Sequence, residues 1–374
     1  MSKVTRLRIC IAPNALGQGG IGTSLIRLTH GFLALGFVVE FVLTAPPEKD
    51  FGRLKQLDER VRVHRLGNRT YLSISKFFLY VMRSKPDIVI TAHNPVFVAF
   101  ALIKLMLPRR LRPVVIHQVH THRSIDLPMK GFIGKLHDRL MRSLIHYADA
   151  IVGVSSGVAR DFELGVGLSA GSIRVIHNAI DENAFGRAEK GPDNSEFNDK
   201  AFPILLAVGR LTAQKDYPTL FRAFKNVLEA VRCRLVILGD GDLMDELKGL
   251  CSVMKLQDHV CFVGHVEDPK PFFSFSDVFV SSSSWEGMPV AHLEALASGL
   301  PVICTDCPSG PAELLENGRY GTLVPVGDAD ALAKAIISRL NNPSNIEPLI
   351  SRAKEFTQEK IAEQYLELFQ SIKK

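Results

Sequence analysis

Short apolar runs alternate along this chain with longer stretches of helical periodicity, the pattern of repeated βαβ units around parallel sheets. In the first half the spacing predicts strands at Arg8–Ala12, Val38–Leu43, Ile88–Thr91, Val114–His117, Ala150–Val154 and Ile173–Ile176. In the second half it predicts Ile204–Val208, Arg234–Leu238, Val260–Val263, Val278–Val280, Val302–Cys304 and Thr322–Val324. Asp181 to Lys200 is polar, acidic and without period, and reads as an interdomain linker. The division is therefore 1–180, a linker over 181–202, a second α/β domain over 203–353, and a last helix within 354–374, over Lys354 to Ile372.

Composition agrees with two cores. A chain of 374 residues with 46% hydrophobic content can fill both. No apolar run approaches the roughly eighteen residues of a membrane span. Lys3, Arg6 and Arg8 precede only Ile9-Cys-Ile-Ala12, too short for a signal-peptide core, so the segment reads as a first strand. Six cysteines are scattered, and Cys304-Thr-Asp-Cys307 lacks a second pair to complete a zinc site, which fits reduced thiols in a cytoplasmic protein.

Charge is uneven. Residues 1–180 carry 25 Lys+Arg against 11 Asp+Glu, a balance of +14, and residues 181–374 carry 20 against 28, a balance of −8. No zinc finger, RNA-recognition signature or interleaved aromatics accompanies the basic half, which argues against nucleic acid. An anionic membrane surface, at the inner face of the plasma membrane, or a lipid-diphosphate acceptor suits it better. Leu102-Ile-Lys-Leu-Met-Leu-Pro-Arg-Arg-Leu-Arg112 mixes apolar and basic residues as interfacial segments do; a core helix ending in a basic loop explains it equally well.

Four local patterns carry candidate chemistry. In Ser281-Ser-Ser-Ser-Trp-Glu-Gly-Met-Pro-Val-Ala-His-Leu-Glu-Ala-Leu-Ala-Ser-Gly299, Pro289 suits a first helical position, so Glu286 and Glu294 flank a helix N-terminus. Backbone N–H groups there can hold phosphate while the carboxylates accept from sugar hydroxyls; a helix with one exposed and one paired glutamate is the plain alternative. Gly17-Gln-Gly-Gly-Ile-Gly22 satisfies G-x-G-x-x-G, but Pro13-Asn-Ala-Leu16 separates it from the strand and Leu43-Thr-Ala offers no acid to a ribose, which argues against NAD or FAD. Asp240-Gly-Asp242 could hold Mn²⁺ or Mg²⁺ under a diphosphate, yet a turn glycine and an N-cap aspartate ahead of the helical pattern Leu243–Leu250 need no metal, and that reading is preferred. His117-Gln-Val-His120-Thr-His122 ends a first-half strand, where open α/β sheets place ligands; no carboxylate is spaced to complete a zinc site.

These residues resemble the retaining glycosyltransferases of family 4, which have the GT-B fold of two facing Rossmann-like domains. Glu286 and Glu294 match the E-x7-E element, and Val208-Gly-Arg-Leu-Thr-Ala-Gln-Lys215, Leu238-Gly-Asp-Gly241, Val263-Gly-His265, Ser298-Gly-Leu-Pro-Val302 and Cys307-Pro-Ser-Gly-Pro-Ala-Glu313 follow in family order. Val175-Ile-His-Asn-Ala-Ile-Asp181 resembles the hinge, and the resemblance implies that the last helix crosses back to the first domain. It also implies a nucleotide-sugar donor, UDP or GDP, no cofactor or metal, and a glycan or polyprenyl-diphosphate-linked acceptor. By the same match Glu286 holds sugar hydroxyls, Gly287, Met288 and Val290 offer backbone N–H on either side of Pro289, which has none but lines the donor site, and Glu294 binds ribose. Arg210 and Lys215 neutralise the leaving diphosphate, Gly19 and Gly20 let the backbone approach it, and the base lies against Phe262–Val266 with Gly264 and His265. His120 faces the anomeric centre, with His93 and His122 as the other candidates. One departure is Asp216, where the family usually has glycine; its carboxylate could pair with Lys215.

Three other functions share parts of this pattern. A GT-B-shaped nucleotide-sugar epimerase would use the donor site without an acceptor. A glycosyl phosphorylase would want a lysine set for pyridoxal phosphate, and none stands out. A basic glycan- or membrane-binding module would keep the charged half and transfer nothing.

Overall fold

The computed structural model describes residues 7–372 apart from 18, 51, 68–69, 71–72, 130, 193–201 and 343–344. The chain divides into two compact units, one of Met1–Ala179 with Gln358–Lys374 and one of Ile180–Thr357.

The first unit holds β1 (Arg8–Ala12), β2 (Val38–Leu43), β3 (Arg62–Arg65), β4 (Ile88–Thr91), β5 (Val114–Val119), β6 (Ala150–Gly153) and β7 (Arg174–Val175). They form one parallel sheet in the order β3-β2-β1-β4-β5-β6-β7. Its helices are α1 (Gly20–Ala34), α2 (Ile74–Ser84), α3 (Asn94–Met106), α4 (Arg123–Met129), α5 (Phe132–Leu144) and α6 (Ser156–Val166). The central strands are buried on both faces, so they are apolar almost without interruption, which is why their spans are legible. β3 was not foreseen: it is an exposed edge strand, Arg-Val-His-Arg, with no apolar run to mark it.

The second unit holds β8 (Ile204–Val208), β9 (Arg234–Leu238), β10 (Val260–Gly264), β11 (Val278–Ser281), β12 (Val302–Thr305) and β13 (Thr322–Val324), in the order β10-β9-β8-β11-β12-β13. All pairs are again parallel. Its helices are α7 (Tyr217–Ala230), α8 (Met244–Val253), α9 (Lys270–Phe275), α10 (Val290–Ala297), α11 (Pro311–Leu314), α12 (Ala329–Asn341) and α13 (Glu347–Ala353). Each unit is thus Rossmann-like, with every strand's carboxyl end on one edge of its sheet, the edge where such folds bind ligands.

The last helix, α14 (Gln358–Ile372), belongs to the first unit. Tyr365 and Phe369 meet Phe32 of α1 at 5.6 and 5.8 Å between ring centroids, closing one side of the first core. The expected start at Lys354 is instead a short 3₁₀ turn, Lys354–Phe356, separate from the helix. Where the chain passes between units it runs as two adjacent segments, the Ile180 amide donating to the Phe356 carbonyl at 2.8 Å. Of the stretch read as a linker, residues 193–200 lie outside the described residues. Before them, the Ala188 amide donates to Ser274 Oγ at 2.8 Å and Lys270 Nζ donates to the Phe185 carbonyl at 3.2 Å, so this part lies on the second unit.

Among the described residues no helix is long and apolar enough to cross a membrane. In the segment Leu102–Arg112, Ile103 and Leu107 are buried and Lys104 is held by Asp149 at 2.5 Å and by the Tyr147 carbonyl at 3.1 Å, while Leu105, Met106, Arg109, Arg110 and Arg112 are exposed. Its amphipathic appearance comes from the end of α3 turning into the 3₁₀ turn Arg109–Leu111.

Candidate active site

In the second unit, the loops after β8 and β11 are stitched together at their carboxyl ends. Glu286 is buried, yet it is satisfied: Lys215 Nζ and Ser283 Oγ each donate to Oε1 at 2.6 Å, and Gln214 Nε2 donates to Oε2 at 3.3 Å. Gln214 also donates to the Trp285 carbonyl at 2.8 Å, and its own carbonyl accepts from the Ser284 amide. Burial raises the Glu286 pKa, but the Lys215 charge, His292 and the two hydrogen bonds to Oε1 outweigh it, so the carboxyl sits below its ordinary value and is ionised at neutral pH. A buried carboxylate with one cation is a strong local dipole, and it stands four residues before α10.

Pro289 is the N-cap of α10 rather than its first helical residue, and no side chain caps the helix there. The first amides of α10 therefore lack a side-chain acceptor from the cap, the condition for holding an anion. Glu294 is half-buried one turn into the same helix. The loop after β12 braces this turn from behind. Gly310 has φ +79°, and a Cβ there would come within 2.5 Å of the Gly287 carbonyl, so glycine is required both by conformation and by space.

Asp216 does not pair with Lys215. It adopts a left-handed conformation, φ +43°, as the N-cap of α7, and its carboxylate accepts from the Thr219 amide at 3.3 Å and from Thr219 Oγ1 at 2.7 Å. The left-handed turn accounts for a glycine preference at this place, and aspartate is among the residues that tolerate it. Lys215 is left to Glu286.

Arg210 is exposed on the loop after β8. That loop lies tightly against the loop after β9: Gly239, at φ +136°, would place a Cβ 2.0 Å from the Gly209 carbonyl. In the Asp240-Gly-Asp242 turn, Asp240 Oδ1 accepts from the Gly241 amide at 2.7 Å. The expectation that Asp242 caps the following helix fails: α8 starts at Met244 behind an uncapped Leu243, and Asp245 and Glu246 in its first turn supply the favourable charge instead. Gly264 has φ +84° and accepts the Gly239 amide at 2.7 Å, and His265 beside it is exposed.

In the first unit, three adjacent strands bring the other residues to one edge. Gly19 is the N-cap of α1 in an extended conformation, Gly20 is its first residue, and Arg53 donates to the Gly19 carbonyl at 3.0 Å. His120 follows β5 and is buried; burial and the neighbouring His93 and His117 push its pKa down to about 3, so it is a neutral hydrogen-bonding group at pH 7. His93 is the N-cap residue of α3, and its Nδ1 accepts from the Asn14 amide at 3.3 Å, which leaves Nε2 as the donor. His122 is turned to Asp161, with Nδ1 3.7 Å from its carboxylate. His117 is interior, bonded to Thr91 Oγ1 at 3.0 Å and packed on Phe97. His120 and His93 thus share a neighbourhood, while His122 and His117 have structural partners.

Sequence reasoning did not single out Ser283, Gln214 or His292. The first two lie inside quoted motifs as unassigned letters. His292 is buried on α10 against Phe279, both ring nitrogens lack partners among the described residues, and burial lowers its pKa to about 4. Its only sequence signal is a histidine on the core side of a helix.

Two parallel Rossmann-like units, with a lysine–glutamate pair ahead of a helix N-terminus in the second, define the GT-B class of glycosyltransferase. Residues 18–184 match the family model Glycosyltransferase Family 4, and residues 192–359 match Glycosyl transferases group 1. The chain belongs to glycosyltransferase family 4. It is 29% identical over 254 residues to an uncharacterized glycosyltransferase of Methanocaldococcus jannaschii, covering 66% of this chain and 61% of that protein. It is 30% identical over 239 residues to a Campylobacter jejuni N-acetylgalactosamine-N,N'-diacetylbacillosaminyl-diphospho-undecaprenol 4-alpha-N-acetylgalactosaminyltransferase, covering 63% of this chain and 64% of that one. The chain thus spans less than two thirds of either relative's length. In fold it is similar to the Anabaena protein HepE solved in complex with UDP, with a TM-score of 0.80 at 19% identity, over 98% of this chain and 100% of that chain.

Proposed function

We propose that this glycosyltransferase moves a hexose or N-acetylhexosamine from a nucleotide-diphosphate sugar, with UDP favoured over GDP, to a hydroxyl of a lipid-linked or polysaccharide acceptor, with retention at the anomeric carbon, in cell-surface glycan biosynthesis. The observation that carries the reading is the ionised, buried Glu286 held by Lys215 just before the uncapped amides of α10. A carboxylate fixed there accepts from donor-sugar hydroxyls, and the amides of Gly287, Met288 and Val290 donate to phosphate. Glu294, one turn further, accepts from the ribose. Arg210 forks onto the diphosphate and Lys215 adds a point charge, so side-chain cations take the role of a metal. The UDP bound to HepE and the diphospho-undecaprenol named for the Campylobacter relative support the donor and acceptor classes.

In this mechanism the bond from the anomeric carbon to the diphosphate oxygen breaks with its electron pair going to the diphosphate. The acceptor hydroxyl bonds to the carbon on the face just vacated, and its proton passes to the departing phosphate oxygen. No enzyme nucleophile is needed. Neutral His120 hydrogen-bonds the transferring sugar, and catalysis rests on positioning and charge stabilisation.

A panel of nucleotide sugars, with and without a polyprenyl-diphosphate-linked glycan, tests this by nucleoside diphosphate release and by the anomeric coupling constant of the product. Acceptor-dependent release with the donor's configuration is expected. Inverted product overturns retention, altered sugar without acceptor makes the protein an epimerase, and no release from any donor makes it a binding module.

A further inference from the structure

Among the described residues, nine of the thirteen exposed large apolar side chains lie on α2, α3, α5 and the end of α4, all in the first unit. α3 packs against both α2 and α5, so these helices are neighbours on one side of the sheet. The concentration is greatest on α5. Phe132 is 82% exposed, Ile133 67%, and Leu136 and Leu140 follow on the same face at helical spacing. Met129, just before α5, is 66% exposed, and Met106, ending α3, is 64% exposed. On the opposite face of α5, Asp138 and Met141 are buried. The helix is therefore amphipathic twice over: its buried face satisfies the core, and a second apolar stripe has no partner among the described residues.

Charge says what covers that stripe. Lys135, Arg139 and Arg142 are exposed and run along one flank of it, about 100° per residue round the helix from Leu136. Arg109 and Arg110, exposed after α3, add to them. α2, α3 and α5 together contain one acid, Asp138, and it is buried and bonded to Arg123 at 2.7 Å. A protein partner or a second copy would have to be strongly acidic or bury several unpaired cations. A bilayer of anionic phospholipid offers both components at once: headgroup charge for the bases and an acyl boundary for Phe132, Ile133 and Leu136.

We propose that α5, with the flanking ends of α3 and α4, is a membrane-docking face that lies in the interface of an anionic bilayer, the apolar stripe inserted and Lys135, Arg139 and Arg142 on the headgroups. The face takes in the exposed end of the Leu102–Arg112 segment, Met106 with Arg109 and Arg110, but not its Lys104, which is already committed to Asp149. Docking of this kind would bring the first unit to the lipid-linked acceptor of the reading above, but it needs no donor and no turnover, so the two stand or fall separately.

The test is sedimentation with phosphatidylglycerol vesicles and with phosphatidylcholine vesicles over a salt series, with sedimentation velocity of the protein alone. Three proteins are compared: wild type, Phe132→Ser with Ile133→Ser and Leu136→Ser, and Lys135→Gln with Arg139→Gln and Arg142→Gln. All six positions are exposed, so both variants should melt as wild type does. At roughly fivefold per base, wild type should prefer phosphatidylglycerol by about a hundredfold at low salt, and lose that preference as salt screens it. Each variant should bind phosphatidylglycerol at least about tenfold more weakly. Equal binding to both vesicle types, or unchanged binding by either variant, overturns the proposal. So does a wild-type dimer that the serine variant dissolves, because the face would then be a self-association surface.

Discussion

Lys215 Nζ donates to the buried Glu286 carboxylate at 2.6 Å, so the cation that the diphosphate would meet and the carboxylate that the sugar would meet are already one unit. The loops after β8 and β11 are thereby set by the same ion pair that, on the proposed function, would serve the donor.

Removing one partner leaves the other buried and unpaired. Lys215→Ala should lower stability by about 3–5 kcal/mol, and Lys215→Met combined with Glu286→Gln should recover most of it, because a neutral pair of similar shape carries no stranded charge. Neither should recover transfer: kcat should fall by on the order of a hundredfold, as it should in Arg210→Ala, which is exposed and should melt like wild type. Chemical denaturation and single-turnover rates on the same preparations check both halves. Full turnover in the double variant would remove the pair from catalysis.

The two glutamates should differ in kinetics. Ribose hydroxyls are held equally in ground and transition states, so Glu294→Ala should mainly raise the donor KM; Glu286→Ala should also lower kcat by misplacing the sugar. Identical kinetic signatures would count against the division of roles.

Asp216 offers a stability test that leaves the chemistry alone. Asp216→Ala loses the cap of α7, about 1 kcal/mol, and puts a Cβ residue without a capping oxygen in the left-handed region, about 1 kcal/mol more. Asp216→Gly should cost only a few tenths of a kcal/mol, since glycine is at ease there. Urea midpoints in the order wild type, Gly, Ala are expected, with turnover kept in the glycine variant.

Acid should destabilise the fold before carboxylates titrate. An unfolded histidine takes up its proton near pH 6.5, whereas folded His292 does so only at about 4 and His117 and His120 at about 3, because burial disfavours the charged ring. The unfolded state therefore binds more protons as pH falls from about 6.5 towards 4, and stability drops through that window. Glu286, held below its ordinary value, adds a further loss only below about pH 4.3. His292→Leu should shrink the difference in Tm between pH 7.5 and pH 5, and an unchanged difference would mean that His292 is not buried neutral.

Twelve of the thirteen strands among the described residues lay within a residue or two of their sequence-read positions, the central ones because a strand buried on both faces must be apolar throughout and so announces itself. The exception, β3, is an edge strand whose residues are mostly exposed. Glycines and acids at motif positions were also legible, since their spacing is local chemistry. What one residue does to another across the sheet edge was not. Lys215 and Glu286 are 71 positions apart, and only parallel β8 and β11 lying side by side bring them together; the same closure turned Asp216 away to cap α7. The surface of α5 makes the same point. Leu102–Arg112 and α5 are both mixed apolar and basic in sequence, and tertiary packing alone decided that the first gives Ile103 and Leu107 to the core while the second keeps a continuous apolar stripe exposed. Composition and periodicity specify which residues can be buried, but which of two competing faces is covered depends on the neighbour that reaches it.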